Sequence, residues 1–388
     1  MQAQTSTDPI CIDAAIVGGG IAGAWALNLL RAKGYNAILL EAGALGQEQT
    51  LASQGMIHGG LKYALGGRMT GAAEAIAAMP TRWRACLRND DPVALQGTRL
   101  LSAHYYMYAA RTTLGRLTTF FASKALRGRI APVPQSEWPD AFAGFDGVLY
   151  TLNDFVLDTA DLLQQLTAPH ADRVFRQRAD AQTVTANPHG GYTLALADRV
   201  VHARQLICCA GNGSEALLHA LNIEGIDVQY RPLKQVIVRP KHDVALYAHC
   251  LTGVTRSEPR LTITSHDTAD GLVWYLGGQL ATEGVARSDD EQIAWTQHEL
   301  QTCVPWLDWH DAAYELLTIN RAEPRQHSGL KPDQAYVRRL GDFIQCFPTK
   351  LTLAPDMGDR LLAALDAPQS TDTLHSQHPL AVVGHAPW

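Results

Sequence analysis

The chain has 388 residues, with 32 Lys plus Arg against 38 Asp plus Glu, a net charge of −6, 46% hydrophobic and 18% charged residues. That length exceeds one ordinary core and predicts two domains. The balance of charge and apolar content excludes a disordered chain and a protein that coats nucleic acid.

The elements read in order as follows. The N-terminal MQAQTSTDPI lacks the basic and apolar regions of a secretory signal, and no stretch approaches about eighteen unbroken apolar residues, so neither export nor a transmembrane segment is expected. An apolar run from Ala14 to Val17, a glycine cluster, a helical stretch from Ile21 to Lys33 closed by Gly34, and a second run from Ala37 to Leu40 form one βαβ unit. From Arg82 to Tyr150 the pattern is irregular, with turns at Pro92, Pro132, Pro134 and Pro139, and reads as an excursion away from the first sheet. A helix from Asp158 to Leu166, a hairpin around NPHGG and a buried strand from Gln205 to Cys209 return to it. Alternating strands Val228 to Val238, Leu261 to Ser265 and Leu272 to Gly277 predict an antiparallel sheet, and a helix follows over Asp289 to Cys303. A strand, a loop and a last helix occupy Tyr336 to Ala364, and the Pro-, Ser-, Thr- and His-rich remainder is expected on the surface.

Gly18, Gly20 and Gly23 make GxGxxG directly after a strand and at the start of a helix, the context that gives this pattern meaning. The first glycine permits the turn, the second lets backbone approach a pyrophosphate, and the third lets helix and strand pack. Ile21 and Ala22 open the helix, whose N-terminus presents unpaired N–H groups to an anion. Glu41, eighteen positions after Gly23 and followed by Ala42, is placed to bind an adenosine ribose and disfavours a 2′-phosphate. A glycine turn with no ligand is the competing account. The chain leaves the βαβ unit through SQGMIHGGLKY instead of continuing into further βα units, which favours FAD over NAD.

SQGMIHGGLKY (Ser53 to Tyr63) resembles the segment after the ribose acid in FAD-dependent glycerol-3-phosphate dehydrogenases, and a related segment occurs in L-2-hydroxyglutarate dehydrogenases. Both belong to the D-amino-acid-oxidase-like flavoproteins. ICCAGNGSEALL (Ile207 to Leu218) is similar to the strand-to-glycine segment that closes the family's FAD domain, and PTKLTLAPDMGDRLL (Pro348 to Leu362) to its C-terminal flavin segment. The glycerol-3-phosphate enzymes carry two glycines where Pro348 and Thr349 stand here, and an additional C-terminal domain.

The resemblance implies an α/β nucleotide domain of the glutathione-reductase/D-amino-acid-oxidase type, from residues 1–85, 150–225 and 318–388. An α+β substrate domain with an antiparallel sheet comes from 86–149 and 226–317. It places Ser53, Gln54, Gly55, Met56, Ile57, Ala181, Ala210, Gly211, Lys350, Leu351 and Thr352 against FAD, held noncovalently. Lys350 would add positive charge near the flavin N1–O2 edge; an exposed lysine is its bland alternative. Arg321, in INRAEPR, is the first choice to clamp an anionic substrate, with Lys62 and Tyr63 second; Arg321 and Arg325 are rivals, and either could neutralise Glu323. His58 is a base, a covalent flavin anchor or a structural residue, while Tyr275 and His266 are candidates to line the pocket.

The implied reaction is oxidation of a small anionic alcohol, such as glycerol 3-phosphate or a 2-hydroxy acid, by hydride transfer to flavin N5. Amino acid or amine oxidation is the alternative within the same fold, and a flavin-binding protein without turnover stands as a different class. No metal-ligand spacing occurs among the fifteen histidines. Cys208 and Cys209 fall on opposite faces of one strand and read as core. Seven cysteines without CxxC spacing fit a reducing cytoplasm. The electron acceptor (oxygen, a quinone or a carrier protein) stays open, as does peripheral contact of Ala64 to Met79 with the inner membrane.

Overall fold

The computed structural model describes residues 9–60, 71–111, 130–251, 258–325 and 334–388. Its first sheet is built on the strand Ile10–Val17, buried from Ile12 onward, the signature of a parallel strand covered on both faces. That strand pairs in parallel with Ala37–Glu41 on one side and Val200–Cys208 on the other. Val174–Arg176 extends the sheet beyond Glu41, and Phe343–Phe347 runs parallel to Val200–Cys208. The NPHGG hairpin forms as expected, joining Val184–Ala186 to Tyr192–Ala195. Cys208 and Cys209 enter separate apolar clusters on the two faces.

Helix Ile21–Ala32 lies on one face with Trp25 fully buried and 4.9 Å from Trp83. Helix Thr159–Thr167 begins where the Asp158 side chain accepts from the N–H groups of Ala160 and Asp161, and it presents Leu162, Leu163 and Leu166 to the same core. Helix Ala354–Ala364 completes the layer.

A second sheet has eight strands in the order Ala313–Pro324, Val228–Arg239, Gly271–Gly277, Leu261–Thr268, Ala248–Cys250, Tyr105–Ala110, Gly147–Leu152 and Ile130–Pro132. It is antiparallel except where Ala248–Cys250 runs parallel to Tyr105–Ala110. Helix Asp289–Cys303 covers one face, started by a capping box between Ser288 and Glu291. Of the boundaries expected from the sequence, 85/86 falls inside helix Gly71–Leu87, 149/150 inside Gly147–Leu152 and 317/318 inside Ala313–Pro324. A small third sheet pairs Met56–Ile57 with Phe155–Leu157 and the latter with Leu100–Ser102.

The C-terminal residues do not hang free. Asp13 takes the N–H groups of Gln369 and Ser370, Phe175 bridges to Leu380, Leu45 bridges to Val383, and the Trp388 ring lies 3.8 Å from that of His266. Among the described residues, no helix is long and apolar enough to cross a membrane.

Candidate dinucleotide and substrate site

The glycine loop is closed by contacts that leave no room for side chains. A Cβ on Gly23 would stand 1.9 Å from the Gly18 carbonyl oxygen, and one on Gly18, whose φ is +104°, 2.5 Å from the Cys209 oxygen. Helix and strand therefore meet at backbone distance. The helix start has Gly20 as N-cap without a side-chain cap and no acid in its first turn, so the helix supplies no neutralising group of its own there. Thr50 Oγ1 accepts from Ile21 N–H at 2.9 Å, and Glu41 ends the neighbouring strand with its carboxylate on the N–H groups of Gly19 (2.6 Å) and Gly43 (2.8 Å). A cradle of backbone N–H groups beside a carboxylate fits a dinucleotide's pyrophosphate and ribose. Ala42 is exposed beside Glu41, and Ala181 lies on an exposed turn after Val174–Arg176, the strand paired with Glu41.

Four sequence-distant segments converge beyond the loop. Cys209 N–H bonds the Val17 oxygen, carrying Ala210 and Gly211 to the strand end, where a Cβ on Gly211 would lie 3.3 Å from Gln49 Nε2. Ser53 Oγ accepts from Gly55 N–H at 3.4 Å, and Gly55, at φ +66°, packs so that a Cβ would meet the Leu157 oxygen at 2.1 Å. Gln54 Nε2 donates to the carbonyls of Thr262 (3.0 Å) and Tyr275 (2.9 Å), tying the segment to the second sheet. The hydroxyl of the fully buried Thr352 brackets the His58 peptide, accepting from its N–H at 3.2 Å and donating to its oxygen at 3.1 Å. Lys350 precedes the turn Leu351–Leu353 that carries Thr352.

A pocket of about 160 Å³ opens between the sheets. Gln54, Met56 and His58 line it from the first side; Gln235, His249, Glu258, Thr262 and Arg321 line it from the second sheet and the segments beside it, and Asp154 stands at the corner. Glu323 is held by Arg231 through two contacts of 2.6 Å. Arg325 is exposed, whereas Arg321 reaches the pocket. Tyr275 lies behind the wall, its hydroxyl 2.8 Å from the Ala52 oxygen and 2.6 Å from Gln235 Oε1; burial pushes the phenol's pKa upward. His266 packs beside it, pushed down to about 3 by burial and by the charge of Arg99. Lys62 and Tyr63 lie outside the described residues.

Sequence reasoning missed Asp154 and His249. Asp154 sits in an Asn-Asp corner between two strands, which reads as an ordinary turn, and His249 lies on a three-residue strand with no motif around it. Burial lifts the Asp154 carboxyl to about 7 against the opposing pull of Gly59 N–H and Arg84. Among the described residues, no group of three or more His, Cys, Asp or Glu is arranged to hold a metal ion.

Residues 13–337 match the model of the family of FAD dependent oxidoreductases (DAO). The chain belongs to that family. This FAD-dependent oxidoreductase is 42% identical over 371 residues to the probable FAD-dependent oxidoreductase PA4991 of Pseudomonas aeruginosa, covering 95% of this chain and 94% of that one. The crystal structure of PA4991 superposes with a TM-score of 0.83 at 36% identity, over 98% of each chain. L-alpha-glycerophosphate oxidase from Mycoplasma pneumoniae, solved with FAD bound, has a TM-score of 0.65 at 15% identity over 97% and 99% of the chains. Glycine oxidase from Geobacillus kaustophilus has a TM-score of 0.61 at 14% identity over 95% and 99%. The last two share the fold with the oxidoreductase, and their near-equal scores do not choose between an alcohol and an amine.

Proposed function

We propose that the enzyme oxidises a small substrate bearing one carboxylate, at the carbon that carries its amine or hydroxyl. Bound FAD, held noncovalently by the glycine loop and Glu41, supplies a two-electron acceptor. Arg321 in the pocket carries this reading: its planar fork suits a carboxylate in two parallel hydrogen bonds. Among the described pocket residues it is the one Lys or Arg side chain, and the carboxyls of Asp154 and Glu258 belong to the same lining. A single guanidinium in a pocket that also holds two carboxyl groups suits a monocarboxylate better than a phosphate dianion, so glycerol 3-phosphate ranks behind 2-amino and 2-hydroxy acids.

Anaerobic addition of 2-amino acids, 2-hydroxy acids and glycerol 3-phosphate to the holoenzyme tests the reading by flavin bleaching. Arg321→Ala is expected to lower kcat/KM by roughly 2–5 kcal/mol of transition-state binding, as for loss of one partner of a buried charge pair. An unchanged value removes Arg321 from the site.

A further inference from the structure

Asp154 occupies the seam of the molecule, between Gly147–Leu152 of the second sheet and Phe155–Leu157, which pairs with Met56–Ile57. Its carboxyl lines the pocket, is 4% exposed overall, and places Oδ1 on Gly59 N–H at 2.8 Å. The groups that face it come from several elements. Arg84 is anchored with Nη2 on the oxygens of Asn153 (3.3 Å) and Ala103 (3.4 Å) and lies over the Phe155 ring. The phenol of buried Tyr105 is raised by burial first and by the Asp154 charge second. His58, His249, Glu258 and Arg321 share the pocket.

Gly60 N–H points at His58 Nδ1 at 3.1 Å, which engages that ring nitrogen as an acceptor. His249 has Nδ1 3.0 Å from Thr262 Oγ1, and Glu258 accepts from the Thr282 hydroxyl at 3.2 Å.

We propose that Asp154 is the proton acceptor of the reaction, taking the N–H or O–H proton of a substrate held on Arg321. The assignment rests on the substrate reading above. The substrate's N–H or O–H bond breaks to leave a proton on the Asp154 carboxylate, and its electron pair forms the C=N or C=O bond. The adjacent C–H bond breaks with its pair, which passes as hydride to the flavin. The substrate thus loses two hydrogens and two electrons, and the flavin takes both electrons. Burial lifts the Asp154 carboxyl to about 7, in the range that suits a base which also releases its proton near neutral pH.

Asp154→Asn keeps an oxygen for Gly59 N–H and removes the base, so a wild-type flavin spectrum certifies its fold. Anaerobic flavin reduction by the best acid is expected to slow by roughly 10²- to 10⁴-fold and to lose its rise with pH through neutrality. A second readout needs no turnover: acetate, titrated against the flavin absorption of the holoenzyme, should bind wild type more weakly as pH rises through about 7, and D154N equally at every pH. Wild-type reduction rate and pH profile in D154N overturn the proposal. So does acetate binding with the same pH dependence in both proteins, or in neither protein. Failure of every acid to bleach the wild-type flavin overturns the substrate reading instead, and the acetate titration still decides Asp154.

Discussion

Thr349 holds φ at +61°, a left-handed conformation that costs a β-branched residue about 1–3 kcal/mol. It stands where the glycerol-3-phosphate enzymes that this chain resembles carry glycine, and its hydroxyl donates to the Gln334 oxygen at 3.0 Å, offsetting part of the strain. Its backbone leads into the turn that sets Thr352 against His58. Thr349→Gly is expected to raise stability by about 1 kcal/mol, read as a higher denaturant midpoint; a lower midpoint would show that the hydroxyl bond outweighs the strain. Asp154 makes a second prediction, about pH. Its folded pKa, about 7, lies above the ordinary 3.8 of the unfolded chain, so unfolding releases a proton between those values. Its effect on stability is therefore lost as pH rises from about 4 to 7, by up to about 4 kcal/mol, and D154N should flatten that slope relative to wild type in urea titrations. Parallel slopes would mean that the carboxyl is ionised throughout.

The C-terminal segment ties elements that are far apart in sequence. Val383 runs beside Leu45 in the loop after Glu41, and Trp388 packs against His266 and Tyr275, whose hydroxyl reaches Ala52 just before the flavin-side segment. Trp388→Ala should cost roughly 1–3 kcal/mol of stability and let FAD dissociate more readily, seen as a lower Tm and faster flavin loss on dilution. A Tm and flavin retention equal to wild type would mean that the docking contributes nothing. Composition pointed to a surface tail, because residues rich in Pro, Ser and His carry no period; the tail docks through a few dispersed apolar side chains and backbone bonds. By contrast, the βαβ unit, the Asp289–Cys303 helix and the strands after Val228 were legible, since each has its own periodicity and end signals. The glycine loop and Arg321 could be singled out because each stands in a motif. Asp154 and His249 could not, as only pairing between remote strands brings them to the pocket.

At the scale of the whole molecule, the chain crosses repeatedly between two sheets, and the pocket lies where they meet. The first sheet supplies the close backbone packing at Gly18 and Gly23; the second sheet and its neighbouring segments supply Arg321, His249 and Glu258. Gln54 spans the join by donating to Thr262 and Tyr275, which ties the Ser53–His58 segment to the second sheet. Family membership accounts for fold and cofactor, and the proposed substrate reading places the choice of substrate in side chains from the second sheet. The most direct test is the visible spectrum of the holoenzyme during anaerobic titration with 2-amino and 2-hydroxy acids, beside the same amines and alcohols lacking the carboxylate. The account predicts bleaching by a carboxylate-bearing compound and none by its decarboxylated counterpart; bleaching by amines or alcohols regardless of the carboxylate would contradict it.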